Sequence, residues 1–121
     1  MPNFSEEKIN KVWEKAQIVE NYDPTKYRQD VCNAWIQRDQ YGTENSFGWE
    51  VDHVFPQSKG GTDDLLNLRP MHWENNRSKA DDFPQYSGVL TSKDNTNIRE
   101  EKSYTVNEKL IAELKIKYNL R

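Results

Sequence analysis

The chain has 121 residues, of which 34% are hydrophobic, 31% charged and 12% aromatic, and a formal net charge of −3. That length fits one domain with one modest core, and the aromatic residues supply large burial units that a disordered chain lacks. The negative balance excludes a uniformly basic, polyanion-coating protein, and nowhere is there a run of about 20 apolar residues to span a membrane.

In chain order, residues 1–7 (MPNFSEE) show no basic stretch followed by an apolar one, so no secretion leader is expected there. Residues 5–20 read as an amphipathic helix: Ile9, Val12, Trp13 and Ala16 recur at i, i+3, i+4 and i+7, with Ser5 as N-cap and Glu6-Glu7 in the first turn. Asp23-Pro24 ends it. Residues 27–41 suit either a short helix or a strand. Cys32 is the sole cysteine and can form neither an internal disulfide nor a Cys-rich zinc site, so a reducing cytoplasm is the expected compartment.

Turn-forming residues 42–48 lead into residues 49–55 (WEVDHVF), a strand stopped by Pro56. A polar, glycine-containing loop over 57–64 precedes a second extended segment at 67–71, and a helix follows over 73–82, stopped by Phe83-Pro84. Residues 88–97 read as loop. At the end, Thr105-Val106-Asn107-Glu108 has capping-box spacing ahead of a final helix with Leu110, Ile111, Leu114 and Tyr118 as its apolar stripe. The expected fold class is α+β in one domain, residues 1–121. A strand–loop–strand–helix core occupies about 48–84, between a helical N-terminal arm, 1–47, and a C-terminal loop and helix, 85–121.

Both histidines of the chain, His53 and His72, fall in that core. Hydrolysing a phosphodiester needs a base to activate water and positive charge to stabilise the transition state, which an imidazole and a carboxylate-held metal can supply. Residues 50–82 carry seven acidic against four basic side chains, as a divalent-cation site can, whereas residues 99–121 carry six basic against four acidic. Alternation along a strand puts Trp49, Val51 and His53 on one side and Glu50 and Asp52 on the other, so Asp52 and His53 converge only where the strand twists or ends. On the helix, Trp73, Asn76, Arg77 and Ala80 share a face, which turns Asn76 toward the hairpin. His72 reads as a helix-start residue or a partly buried ring with a satisfied partner, and Gly60-Gly61 as a tight backbone path. The four Trp and six Tyr read first as core residues, with Tyr41 or Tyr86 as the rings open to stacking on a base.

The run Asp52-His53…Pro56, then Gly60-Gly61, Asn67-Leu68 and Asn76-Arg77-Ser78-Lys79, resembles the HNH nuclease motif D-H-x-x-P…G-G…N-L…N-x-x-K across residues 49–82. The resemblance implies a small ββα-metal core and an endonuclease that hydrolyses DNA to 5′-phosphate ends. It implies His53 as general base, Asn67 holding the His53 ring in its working tautomer, and Asp52 and Asn76 as ligands of one divalent ion, Mg²⁺ foremost. Lys79, with Arg77, Lys59 and Arg69, is expected on the nucleic-acid backbone. Many family members carry Cys-x-x-Cys pairs around this motif; here His72 and Asn75 stand at the corresponding positions near the helix, so no structural zinc is expected. The alternative is a nucleic-acid-binding module or partner-dependent subunit of the same fold that does not cut. A toxin-like nuclease with a protein inhibitor is a third reading, which nothing in the sequence favours.

Overall fold

The computed structural model describes residues 4–121. The expected lack of a leader rests partly on residues 1–3, which lie outside the described residues. Helix α1 (Glu6–Trp13) starts where expected: Ser5 is extended and its side chain accepts the Lys8 N–H at 3.1 Å, with Glu6 and Glu7 at the positive end of the helix. It stops at Trp13, well short of residue 20, because tertiary partners claim the following backbone. Gln17 exchanges hydrogen bonds with Gln29 at 2.8 and 3.0 Å, and Arg28 Nη1 donates to the Glu14 and Ala16 carbonyls.

Residues 27–41 contain strands β1 (Tyr27–Gln29) and β2 (Trp35–Gln37), paired antiparallel. The turn between them is organised by Asp30, which is fully buried. Its Oδ1 accepts the Cys32 and Ala34 N–H groups, and its Oδ2 accepts the His72 N–H and Asn75 Nδ2. Burial pushes its carboxyl above the usual range, and these four donors pull it back in part.

Strands β3 (Trp49–His53) and β4 (Leu68–His72) pair antiparallel with Trp49 opposite His72 and His53 opposite Leu68. Helix α2 (Trp73–Lys79) follows β4 without a linker and ends before the expected residue 82, where Ala80 takes φ +49°. The expected loop at 88–97 is instead the middle of a long hairpin, β5 (Gln85–Lys93) and β6 (Thr96–Thr105). Tyr86, Gly88 and Leu90 alternate into the interior on β5, whereas β6 is almost wholly exposed. Only one of the two strands therefore carries an apolar rhythm, and the other reads as polar coil. The hairpin docks on α2 through Asn75, whose Oδ1 accepts the Val89 and Leu90 N–H groups while Nδ2 donates to the Leu90 carbonyl. Helix α3 (Glu108–Lys117) is capped by Asn107, which accepts the Leu110 N–H at 2.8 Å, and not by Thr105, the last residue of β6.

The fold class is α+β as expected, but the C-terminal arm is a hairpin and a helix rather than a loop and a helix. The β3–β4 pair lies between two buried clusters. Trp49 and Leu68 pack with Ile9, Val12, Trp13 and Ile36 of the N-terminal arm. Val54, Phe55 and Met71 pack with Cys32, Tyr86, Val106 and Leu114. Apolar burial on both sides thus fixes the strand that carries Asp52 and His53. Burial also pushes the Cys32 thiol up to about 12, which makes it a packing residue rather than a nucleophile. Among the described residues no helix is long and apolar enough to cross a membrane.

His72 joins β4 to α2 and is fully buried. Its Nε2 lies 2.9 Å from the Ser46 carbonyl, which can only accept, so Nε2 carries the proton and Nδ1 accepts the Glu74 N–H at 3.1 Å to cap α2. Burial lowers its pKa, opposed by the Ser46 carbonyl and by Asp30, Glu74 and Glu50. A depressed histidine pKa means that the unfolded chain binds more protons than the folded one. The stabilisation is therefore complete above the unfolded value of about 6.5 and is lost as pH falls through it. The denaturant midpoint of wild type is expected to decline more steeply below about pH 6.5 than that of His72→Asn, which can cap but cannot titrate. Asp30, whose raised pKa acts in the opposite direction, is common to both proteins. Equal slopes in the two would contradict this assignment.

Candidate active site

The end of β3, the loop after it and one face of α2 enclose a cleft of about 280 Å³, lined by Asp52, His53, Asn76, Tyr41, Ser58 and Asp81 among others. Asp52 and His53 both reach it because β3 ends at His53 and the chain turns away at Pro56. The alternation of the strand therefore does not separate them.

Asp52 is 2% exposed and sits between two cations: Arg69 Nε is 2.8 Å from its Oδ2 and Lys79 Nζ is 3.2 Å from its Oδ1. Lys79 is fully buried and also donates to the carbonyls of His53 and Val54, each at 3.2 Å. Burial pushes its ammonium below the ordinary lysine value, and Asp52 holds it up. The Arg69 guanidinium lies 5.0 Å from the centre of the Tyr86 ring and is itself nearly buried. These positions correct two sequence-based assignments. Lys79 faces the interior, Arg69 is nearly buried, and both are committed to bracing Asp52 rather than to a solvent-facing phosphate contact.

Asn76 faces the hairpin as expected, its Nδ2 donating to Glu50 Oε1 at 3.0 Å on β3. That bond occupies the amide nitrogen and leaves Oδ1 as its free acceptor. Asn67 departs from expectation. It is fully buried, its Oδ1 accepts the Phe55 N–H at 2.7 Å, and its Nδ2 donates to the carbonyls of Phe55 and Thr62. Its amide is committed to closing the loop over 55–67 and does not hold the His53 ring. The loop is tight enough to require this clamp: at Gly61 a Cβ would lie 1.8 Å from the Phe55 carbonyl oxygen, and Gly60 has φ +109°. The glycine pair thus serves the backbone path, as its composition indicates.

The partner of His53 is Asp63, whose Oδ1 is 2.8 Å from Nε2. Sequence reasoning missed it. A Thr-Asp-Asp run in a loop reads as turn chemistry, and no periodicity relates loop residue 63 to strand residue 53.

Of the four cations expected on nucleic acid, Arg77 and Lys59 are exposed. Arg77 pairs with Glu44 at 3.1 Å and lies 4.9 Å from the Trp73 ring centre. Tyr41 lines the cleft, whereas Tyr86 is 4% exposed and stacks on Tyr104.

Among the described residues no three His, Cys, Asp or Glu side chains group as metal ligands. The oxygen donors that line the cleft include the Asp52 carboxylate and the Asn76 amide, with Asp81 and Ser58 also lining it and joined to each other at 3.3 Å. Each Asp52 oxygen has one cationic partner and keeps a second lone pair, and Asn76 Oδ1 is released by the bond its nitrogen makes. This pair fits a hard divalent cation that completes its shell with water and phosphate oxygens.

A family model described as HNH endonuclease matches residues 42–82. The match takes in β3, the loop after it, β4 and α2, and so covers every residue that lines the cleft except Phe4 and Tyr41. No curated protein and no solved structure matches the chain.

Proposed function

We propose that the chain is a one-domain, metal-dependent endonuclease acting on DNA, with the β3–β4–α2 unit serving as a ββα-metal core. The observation that carries this reading is the convergence of Asp52, His53 and Asn76 on one cleft inside the segment matched by the HNH family. His53, neutral, takes a proton from water as the water oxygen attacks phosphorus in line and the 3′ oxygen departs, leaving a 5′-phosphate. A divalent ion held by Asp52 and Asn76 supplies positive charge to the phosphoryl and leaving oxygens when bound. Lys79 and Arg69 fix the Asp52 carboxylate in direction, and Glu50 fixes the Asn76 amide. Arg77 and Lys59 stand at the surface, where they can contact the DNA backbone.

Asn76→Ala is the variant of choice for the metal assignment because Asn76 lies at the cleft edge and its loss strands no buried charge. Calorimetry with Mn²⁺ is expected to show weaker binding to Asn76→Ala than to wild type. Chelation is expected to stop plasmid cleavage while leaving the melting transition nearly in place, because only ligand-linked stabilisation is removed. Unchanged Mn²⁺ affinity in the variant, or collapse of the far-UV circular dichroism on chelation, would overturn the assignment.

A further inference from the structure

We infer that Asp63 is the positioning residue that selects the tautomer of His53, and that helices α1 and α3 hold its loop in register for that task. The inference rests on His53 being the base proposed above. A carboxylate oxygen 2.8 Å from Nε2 can only accept, so the neutral ring donates from Nε2 and carries its lone pair on Nδ1. The same carboxylate stabilises the imidazolium that forms when Nδ1 takes the proton from water, in the way an acid partner supports a catalytic histidine elsewhere.

Asp63 is 49% exposed and follows two glycines, so its own burial does not keep it in place. The arms do. The Tyr118 hydroxyl at the end of α3 accepts the Thr62 N–H at 3.1 Å and lies 2.7 Å from Thr62 Oγ1. Lys117 pairs with Asp64 at 3.1 Å, and Thr62 Oγ1 donates to the same carboxylate at 2.6 Å. From the other side, Lys8 of α1 donates to the Asp63 carbonyl. Asn67 Nδ2 holds the Thr62 carbonyl at 3.1 Å, and the Tyr118 ring stacks on Phe55 with centroids 5.2 Å apart. Three consecutive residues are thus fixed from the N-terminal helix, the C-terminal helix and the loop clamp, and the middle one meets the base.

The test is long-range ¹H–¹⁵N correlation of the His53 ring at a pH where it is neutral, with melting temperature as a control. Wild type is expected to show one tautomer, protonated at Nε2. Asp63→Ala is expected to show a mixture at nearly unchanged melting temperature, Asp63→Asn to keep the wild-type tautomer through its amide oxygen, and Tyr118→Phe to lie between. For plasmid nicking, kcat of Asp63→Ala is expected to fall about 10-fold or more with KM little changed. An unaltered ring spectrum in Asp63→Ala would overturn the inference whether or not the protein cuts DNA. A redistributed tautomer in a protein whose wild type never cuts would support the role of Asp63 on the ring and overturn the nuclease reading instead.

Discussion

Lys79→Met is expected to lower the stability of the fold by about 3–5 kcal/mol, the usual consequence of removing one partner from a buried charge cluster. The ammonium is fully buried and has three oxygen partners: Asp52 Oδ1 and the carbonyls of His53 and Val54. Methionine fills nearly the same volume, so the loss reports the unpaired oxygens and not a cavity. Denaturant titration reads it as a lower midpoint at constant slope. A lysine that touched only substrate phosphate would behave otherwise. Its loss would leave stability within about 0.5 kcal/mol and would reduce the salt dependence of DNA binding by about one unit of slope. The two outcomes separate an interior brace for Asp52 from a surface contact.

The same residue shows where sequence reading reaches its limit. Asn76, Arg77, Ser78 and Lys79 are consecutive on one short helix, and their spacing reveals that Asn76 meets the hairpin, which it does through Glu50. Spacing cannot reveal that the neighbouring face is buried as well. Lys79 and Asn75 are polar, and partners distant in sequence make their burial possible: the β5 backbone and Asp30 for Asn75, and Asp52 with the His53 and Val54 carbonyls for Lys79. That hairpin was itself illegible because β6 buries almost nothing.

Local signals were read correctly where the local chain decides the outcome. Ser5 caps α1, β3 begins at Trp49, and the Gly60-Gly61 pair makes a tight turn. Where distant residues decide, local signals failed: α1 ends at Trp13, Asn67 serves the loop, and Asp63 meets His53. Of the candidate site, the residues Asp52, His53 and Asn76 that line the cleft were legible from the motif. The braces and the orienting acid came only with the three-dimensional arrangement.

His53→Ala is the second large effect, and it bears on the chemistry rather than the fold. The ring is partly accessible at the cleft, its polar partner Asp63 is half exposed, and no buried charge depends on it. Removing it leaves Asp52, Asn76, Arg77 and Lys59 in place, so metal and DNA binding are expected to persist. Cleavage is expected to fall by about 10²- to 10⁴-fold, the contribution of a positioned acid or base. In free-energy terms the fall corresponds to about 3–5 kcal/mol of transition-state stabilisation. It should appear in kcat, because the proton transfer belongs to the transition state and not to substrate binding.

The most direct measurement is conversion of supercoiled plasmid to nicked circles with Mg²⁺ by wild type and His53→Ala, with DNA binding followed on the same preparations. The account predicts that both proteins bind, that wild type nicks and stops when chelator is added, and that His53→Ala nicks at least about 100-fold more slowly. Equal nicking by the two proteins, or binding without nicking by both, would contradict it.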